Sequence, residues 1–303
     1  MIRIIIPIIT ISFLVTSCKE RASVSVTQQR DTIAVMGDTV ISRIPTLTRV
    51  WETDTTMQTP ESVLYDAAND VIYVSNIGGV PPNKKDGDGY ISKLSPDGKI
   101  ITLKWATGFD APKGLGLIGN RLYVTDIDRL KAVDITTGKT LNTWKVTGAT
   151  FLNDVATTLD SVVYFTDSDN STIHELRKGK LSVVKVDTVF GGTNGIFVHG
   201  NDLYLAGMNS GGVFKMNLDD KSIIKLASGI GAGDGIERYQ DGWIVSNWNG
   251  EIHYIDSEGK VTELLDTQDA KLNTADIEVI EERNLLLIPT FFGNKVVAYS
   301  LKG

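Results

Sequence analysis

One position of this 303-residue chain recurs with side chains able to hold a metal ion. The segments PESV (60–63), PKGL (112–115), LNDV (152–155), TNGI (193–196), GDGI (233–236) and TADI (274–277) align on their last apolar residue. That alignment puts Glu61, Lys113, Asn153, Asn194, Asp234 and Ala275 in register, at intervals of 52, 40, 41, 40 and 41 residues. Glu61, Asn153, Asn194 and Asp234 offer carboxylate and amide oxygens, the hard ligands of which Ca²⁺ takes roughly 6–8 in irregular geometry. Four protein ligands leave coordination positions for water and substrate, and two carboxylates offset the ion's charge. Zinc or copper would want His or Cys, which this position lacks. A solvated polar channel is the other reading of the same residues.

The elements that must carry these residues are short strands. Each copy is followed by an apolar strand ending in a small or polar residue: VIYVSN (71–76), RLYVTD (121–126), VVYFTD (162–167), DLYLAG (202–207), GWIVSN (242–247) and LLLIPT (285–290). Hairpin turns come next in five copies, at SPDGK (95–99), TTGK (136–139), RKGK (177–180), NLDDK (217–221) and SEGK (257–260). Glycine or aspartate in these turns supplies the backbone angles a hairpin needs. A period near 40 with four strands per repeat marks propeller blades. The expected fold is all-β, a six-bladed β-propeller over residues 45–303. The chain ends at SLKG, where the sixth copy still needs a last strand. LTRVWETD (47–54) matches the fourth strands ITLKWATG (101–108) and TLNTWKVTG (140–148), with Trp51, Trp105 and Trp144 aligned. The N-terminal strand should therefore complete the last blade and leave no open sheet edge at the seam. Innermost strands start at one face and point to the axis, so the recurring position should line the channel mouth.

In this blade order the residues resemble the gluconolactonase superfamily of six-bladed propellers, which includes regucalcin (the senescence marker protein), paraoxonases and diisopropyl fluorophosphatase. The resemblance covers the whole propeller and rests on Glu61, Asn153, Asn194 and Asp234 in blades one, three, four and five. It implies a catalytic divalent cation, calcium before others, and hydrolysis of a lactone or related ester. The cation would polarise the substrate carbonyl and stabilise the developing oxyanion. The resemblance makes Asp234 a candidate general base as well as a metal ligand. Lys113, in the blade-two position, departs from the pattern: it could bind a substrate oxygen as a catalytic group, or neutralise Glu61. No histidine falls near the ring, so a paraoxonase-like dyad is absent, and Ser62 stands where paraoxonases carry an Asp for a second calcium. Asp154 and Asp276 are read as a second shell or as partners for strand ends. The long segment GGVPPNKKDGDG (78–89) is a candidate substrate wall. A non-catalytic propeller that binds a ligand or protein remains the competing function.

The other signals bound the rest. Hydrophobic residues make up 42% and charged residues 22%, an ordinary globular composition. With net charge −7 and no basic cluster, nucleic acid is not an expected partner. The single cysteine, Cys18, excludes an internal disulfide and a cysteine-built zinc site. It closes an N-terminal segment with Arg3 and an apolar run from Ile4 to Val15, too short for the roughly 20 residues that span a bilayer. Val15-Thr16-Ser17-Cys18 resembles a bacterial lipobox. The expectation is a signal peptide over 1–17, a lipidated tether over 18–44, and attachment to the bacterial cell envelope through lipid alone. GLGLIG (114–119) fits a dinucleotide pattern but is followed by a strand, not a helix. DSDNSTIHE (167–175) lacks the Gly and Glu of a calcium loop. His174, His199 and His253 are read as structural or exposed.

Overall fold

A computed structural model describes residues 44–303; the segment expected to be a signal peptide (1–17), Cys18 and the expected tether up to residue 43 lie outside them. Those residues form six four-stranded antiparallel sheets arranged as blades, with three single-turn 3-10 segments and no α-helix among them. No helix among the described residues is long and apolar enough to cross a membrane. The innermost strands are Pro60–Asp66, Pro112–Ile118, Leu152–Thr157, Thr193–His199, Gly233–Tyr239 and Glu278–Ile280. Five of them begin with the aligned segments. In the sixth the strand starts only at Glu278, so TADI is an approach rather than a strand, tied to blade one by a single bridge between Asp276 and Ser62.

The last sheet joins the two ends of the described chain. Thr46–Glu52 pairs antiparallel with Val296–Lys302, from Thr46 opposite Lys302 to Glu52 opposite Val297, with a bulge between Arg49 and Trp51. The hydrophobic core is correspondingly distributed: six clusters each fill the gap between two adjacent blades. Tyr73, Ile91 and Phe109 of blade one pack against Leu115, Leu122 and Val124 of blade two. The closing gap holds Val63, Ile72 and Leu94 against Ile280, Leu287 and Val296, with Trp51 beside them. Trp105 and Trp144 occupy the matching places one and two gaps on. Trp51 and Trp105 reach the hairpin turn of the next blade: a Cβ on Gly98 would stand 2.5 Å from the Trp51 ring, and one on Gly138 would lie 3.3 Å from that of Trp105.

A repeated irregularity aims the functional position. In blades one to five the pairing of first and second strands slips just after the start: Pro60 faces Asn76 but Val63 faces Val74, and the other four do the same. Two residues then stand opposite one, which is a β-bulge and re-aims the side chains there. A hydroxyl on the second strand stitches most bulges. Thr166 Oγ1 accepts from the Asp154 N–H at 3.1 Å and donates to the Asn194 carbonyl of the next blade at 2.8 Å. Ser246 does the same between Gly235 and Ala275. The glycine after a ring residue answers to crowding. A Cβ on Gly195 would sit 2.0 Å from the Asp234 carbonyl oxygen. The Asn-Gly pair here is therefore a contact between blades rather than a hairpin turn.

Candidate metal-binding site

The bulges bring Glu61, Lys113, Asn153, Asn194 and Asp234 to the floor of one cavity of about 260 Å³. All five are at most 5% exposed. Ala275 does not join them; it is buried in an apolar cluster with Ile77, Ala111, Ile127 and Phe291. A larger groove of about 720 Å³ lies along the edges of blades three and four, and no ring residue lines it.

The hydrogen bonds orient the ring amides. Asn194 Nδ2 donates to Asp234 Oδ1 at 2.8 Å, and Asn153 Nδ2 donates to Ser168 Oγ at 3.2 Å. Their amide oxygens are left buried without a donor. So are Glu61 Oε2 and both carboxylate oxygens of Asp154, making five of the eleven such atoms among the described residues. Glu61, Asp154 and Asp234 form a buried acidic cluster in which one oxygen from each lies within 4.8 Å of the others. The sequence reading gives Asp154 as a second shell or a partner for strand ends; one of its oxygens lies within 4.8 Å of those of Glu61 and Asp234, while the residue itself does not line the cavity. Asp276 is the residue that sits behind, accepting from Ser62 Oγ at 2.6 Å.

Buried acceptors without donors are costly, and several carboxylates at short range more so. Burial first, then repulsion from Asp234, pushes the Glu61 carboxyl well above its usual range, with Lys113 pulling the other way. Burial and Asp276 raise Asp234 strongly, opposed by its bond from Asn194. Burial raises Asp154 strongly too, followed by the charges of Asp276, Asp234 and Glu61. Asp276 is raised to about 7, again by burial. A cation answers each of these at once. The donor set, all oxygen and no sulfur or imidazole, fits a hard divalent ion.

Lys113 forms no ion pair within 4 Å with Glu61. Its Nζ donates to the Pro82 carbonyl at 3.0 Å and the Ala111 carbonyl at 3.3 Å, and lies 4.3 Å from the Phe151 ring centroid. Burial lowers its pKa, and the charge of Glu61 resists that. Pro82 belongs to the long segment 78–89, which thus reaches the cavity wall as the sequence suggests, and Lys85 fastens it again to Asp128 at 2.7 Å.

His174 and His253 are buried in third strands, His174 stacked on Phe165. His199 ends an inner strand and contacts Arg238.

Apart from Pro82, the apolar wall of the cavity escaped the sequence reading. Ile77, Pro82, Phe151, Met208, Trp248 and Phe291 form it. The signal was present: the residue directly after each second-strand hexapeptide is Ile77, Ile127, Ser168, Met208, Trp248 and Phe291, at intervals of 50, 41, 40, 40 and 43. Four of these six positions, Ile77, Met208, Trp248 and Phe291, line the cavity together with the polar residues.

No family model matches the sequence, and no curated protein matches it. Solved structures do. Virginiamycin B lyase from Staphylococcus aureus superposes with TM-score 0.63 at 14% identity, over 86% of this chain and 100% of that one. A gluconolactonase from Xanthomonas campestris superposes with TM-score 0.66 at 15% identity, over 82% of this chain and 88% of that one. A chain of the nidogen/laminin complex gives 0.57 at 16%, over 68% and 79%. At the level of fold, the resemblance expected from the ring residues is thereby met: the chain has the six-bladed propeller architecture of a gluconolactonase and a virginiamycin B lyase.

Proposed function

We propose that this protein is a divalent-cation-dependent hydrolase of a small lactone or ester, with Ca²⁺ as the ion. The observation that carries the reading is the convergence on one cavity of donor-less buried oxygens from Glu61, Asn153 and Asn194, beside Asp234, with an oxygen of Asp154 within 4.8 Å of those of Glu61 and Asp234. A bound cation would supply Lewis-acid polarisation of the substrate carbonyl. The chain's own residues do the rest. Glu61, Asn153, Asn194 and Asp234 hold the ion, with Asp154 as a further ligand and Asp276 steadied behind it by Ser62. Asn194 engages one oxygen of Asp234 and leaves the other for a water, so Asp234 is the candidate general base. Lys113, the only cation among the described residues that line the cavity, commits two of its three N–H groups to carbonyls and has one for the developing oxyanion. The test is a panel of lactones and aryl esters with Ca²⁺, comparing wild type with Asp234→Ala and Glu61→Gln. Metal-dependent turnover lost in both variants is expected. Turnover indifferent to EDTA and to both substitutions, or none across the panel, transfers the reading to a non-catalytic propeller that binds a ligand or protein.

The lipobox-like segment supports a second proposal, that lipidation of Cys18 anchors the propeller in the bacterial cell envelope. Membrane fractionation of wild type against Cys18→Ala decides it; equal solubility of the two sinks the idea.

A further inference from the structure

We infer that the substrate carries an apolar group, an alkyl or aryl lactone or ester, and is not a polyhydroxylated sugar lactone. This rests on the hydrolase reading of the same site and names its substrate class. Two kinds of lining in one cavity carry the argument. The polar lining, Glu61, Lys113, Asn153, Asn194 and Asp234, presents oxygens and one ammonium, which engage a carbonyl and an ion. A substrate also meets Ile77, Pro82, Phe151, Met208, Trp248 and Phe291. Trp248 and Phe291 stand edge to face with centroids 5.4 Å apart, and Phe292, 55% exposed, continues the pair outward at 4.9 Å from Phe291. The nearby Ser168 hydroxyl is already engaged, accepting from Asn153 and donating to the Thr193 carbonyl at 2.9 Å. The hydroxyls of a sugar ring would lose their water against this wall and find few partners, and a buried polar group without a partner is penalised. An alkyl chain or aromatic ring gains from the same wall. The volume of about 260 Å³ is that of roughly nine water molecules, enough for a small ring and a short chain.

The experiment is a homologous series of γ-lactones from five to ten carbons beside glucono-δ-lactone, with Ca²⁺. We expect kcat/KM to rise about fourfold per added methylene until the cavity is full, with the sugar lactone below the eight-carbon member. Trp248→Ala should flatten that rise. Phe292→Ala, at an exposed position that spares the core, should lower only the longest members. A sugar lactone preferred over the whole series, with no dependence on chain length, overturns the substrate class and leaves the hydrolase reading standing. If no lactone is turned over, the hydrolase reading fails and the class is judged by binding, through tryptophan fluorescence with Trp248→Phe as blank. Affinity that tightens with chain length then upholds it, and affinity indifferent to chain length overturns it.

Discussion

Asn194 of blade four donates its amide to Asp234 of blade five at 2.8 Å, and by doing so turns its own oxygen, buried and donor-less, toward the cavity floor. One hydrogen bond thus orients two prospective ligands from neighbouring blades. Asn194→Ala removes a ligand and frees Asp234 to swing. Calorimetric Ca²⁺ affinity should fall about 10–100-fold, with the fold retained by circular dichroism. Unchanged affinity would remove Asn194 from the site.

Stability of the metal-free protein should fall as pH rises from 6.5 to 8.5. Burial lifts Asp276 to about 7 and Glu278 to about 8, and raises Glu61, Asp154 and Asp234 strongly. A carboxyl raised in the folded state holds a proton that the unfolded chain has already released, so its contribution is lost as pH climbs through the folded value. Buried His174 and His253, lowered by desolvation, act in the opposite sense but only below their ordinary range near 6.5. Millimolar Ca²⁺ replaces those protons and should blunt the fall. Thermal melts in EDTA and in Ca²⁺ across that window check this; parallel curves would speak against a cation at these carboxylates.

Lys113→Met should separate two roles. Losing a positive charge beside Glu61 should tighten Ca²⁺ several-fold. Losing the bond to the Pro82 carbonyl should loosen segment 78–89. Calorimetry reads the first and limited proteolysis the second. A variant with weaker Ca²⁺ binding and an unaltered cleavage pattern would contradict both.

Closure of the ring should depend on Trp51, wedged beside Gly98 at the seam of blades six and one. Trp51→Ala is expected to cost about 2–4 kcal/mol and lower Tm by roughly 5–10 °C. Gly98→Val, at a φ of +83° and against the same ring, should cost at least as much. Calorimetric scans measure both.

The sequence alone determined the number of blades, the closing strand and the blade order of the ring residues. Those follow from local causes: hairpins pair neighbouring segments, alternation assigns faces, and a repeat near 40 residues recurs in register. The Trp51, Trp105 and Trp144 alignment was legible because each performs the same task between blades. The direction of each side chain beyond the register was decided by tertiary structure. Asp154 joins Glu61 and Asp234 only because a bulge sets two residues opposite one. Lys113 bonds carbonyls rather than Glu61 because Pro82, some thirty residues away, is folded over it. Ile77, Met208, Trp248 and Phe291 were written at a regular spacing, yet they became a wall only when different blades brought them to one cavity. The physical reason is common to all three. Strand pairing is set by neighbours along the chain, whereas the orientation of a buried polar group is set by whichever partner another blade brings within hydrogen-bond reach.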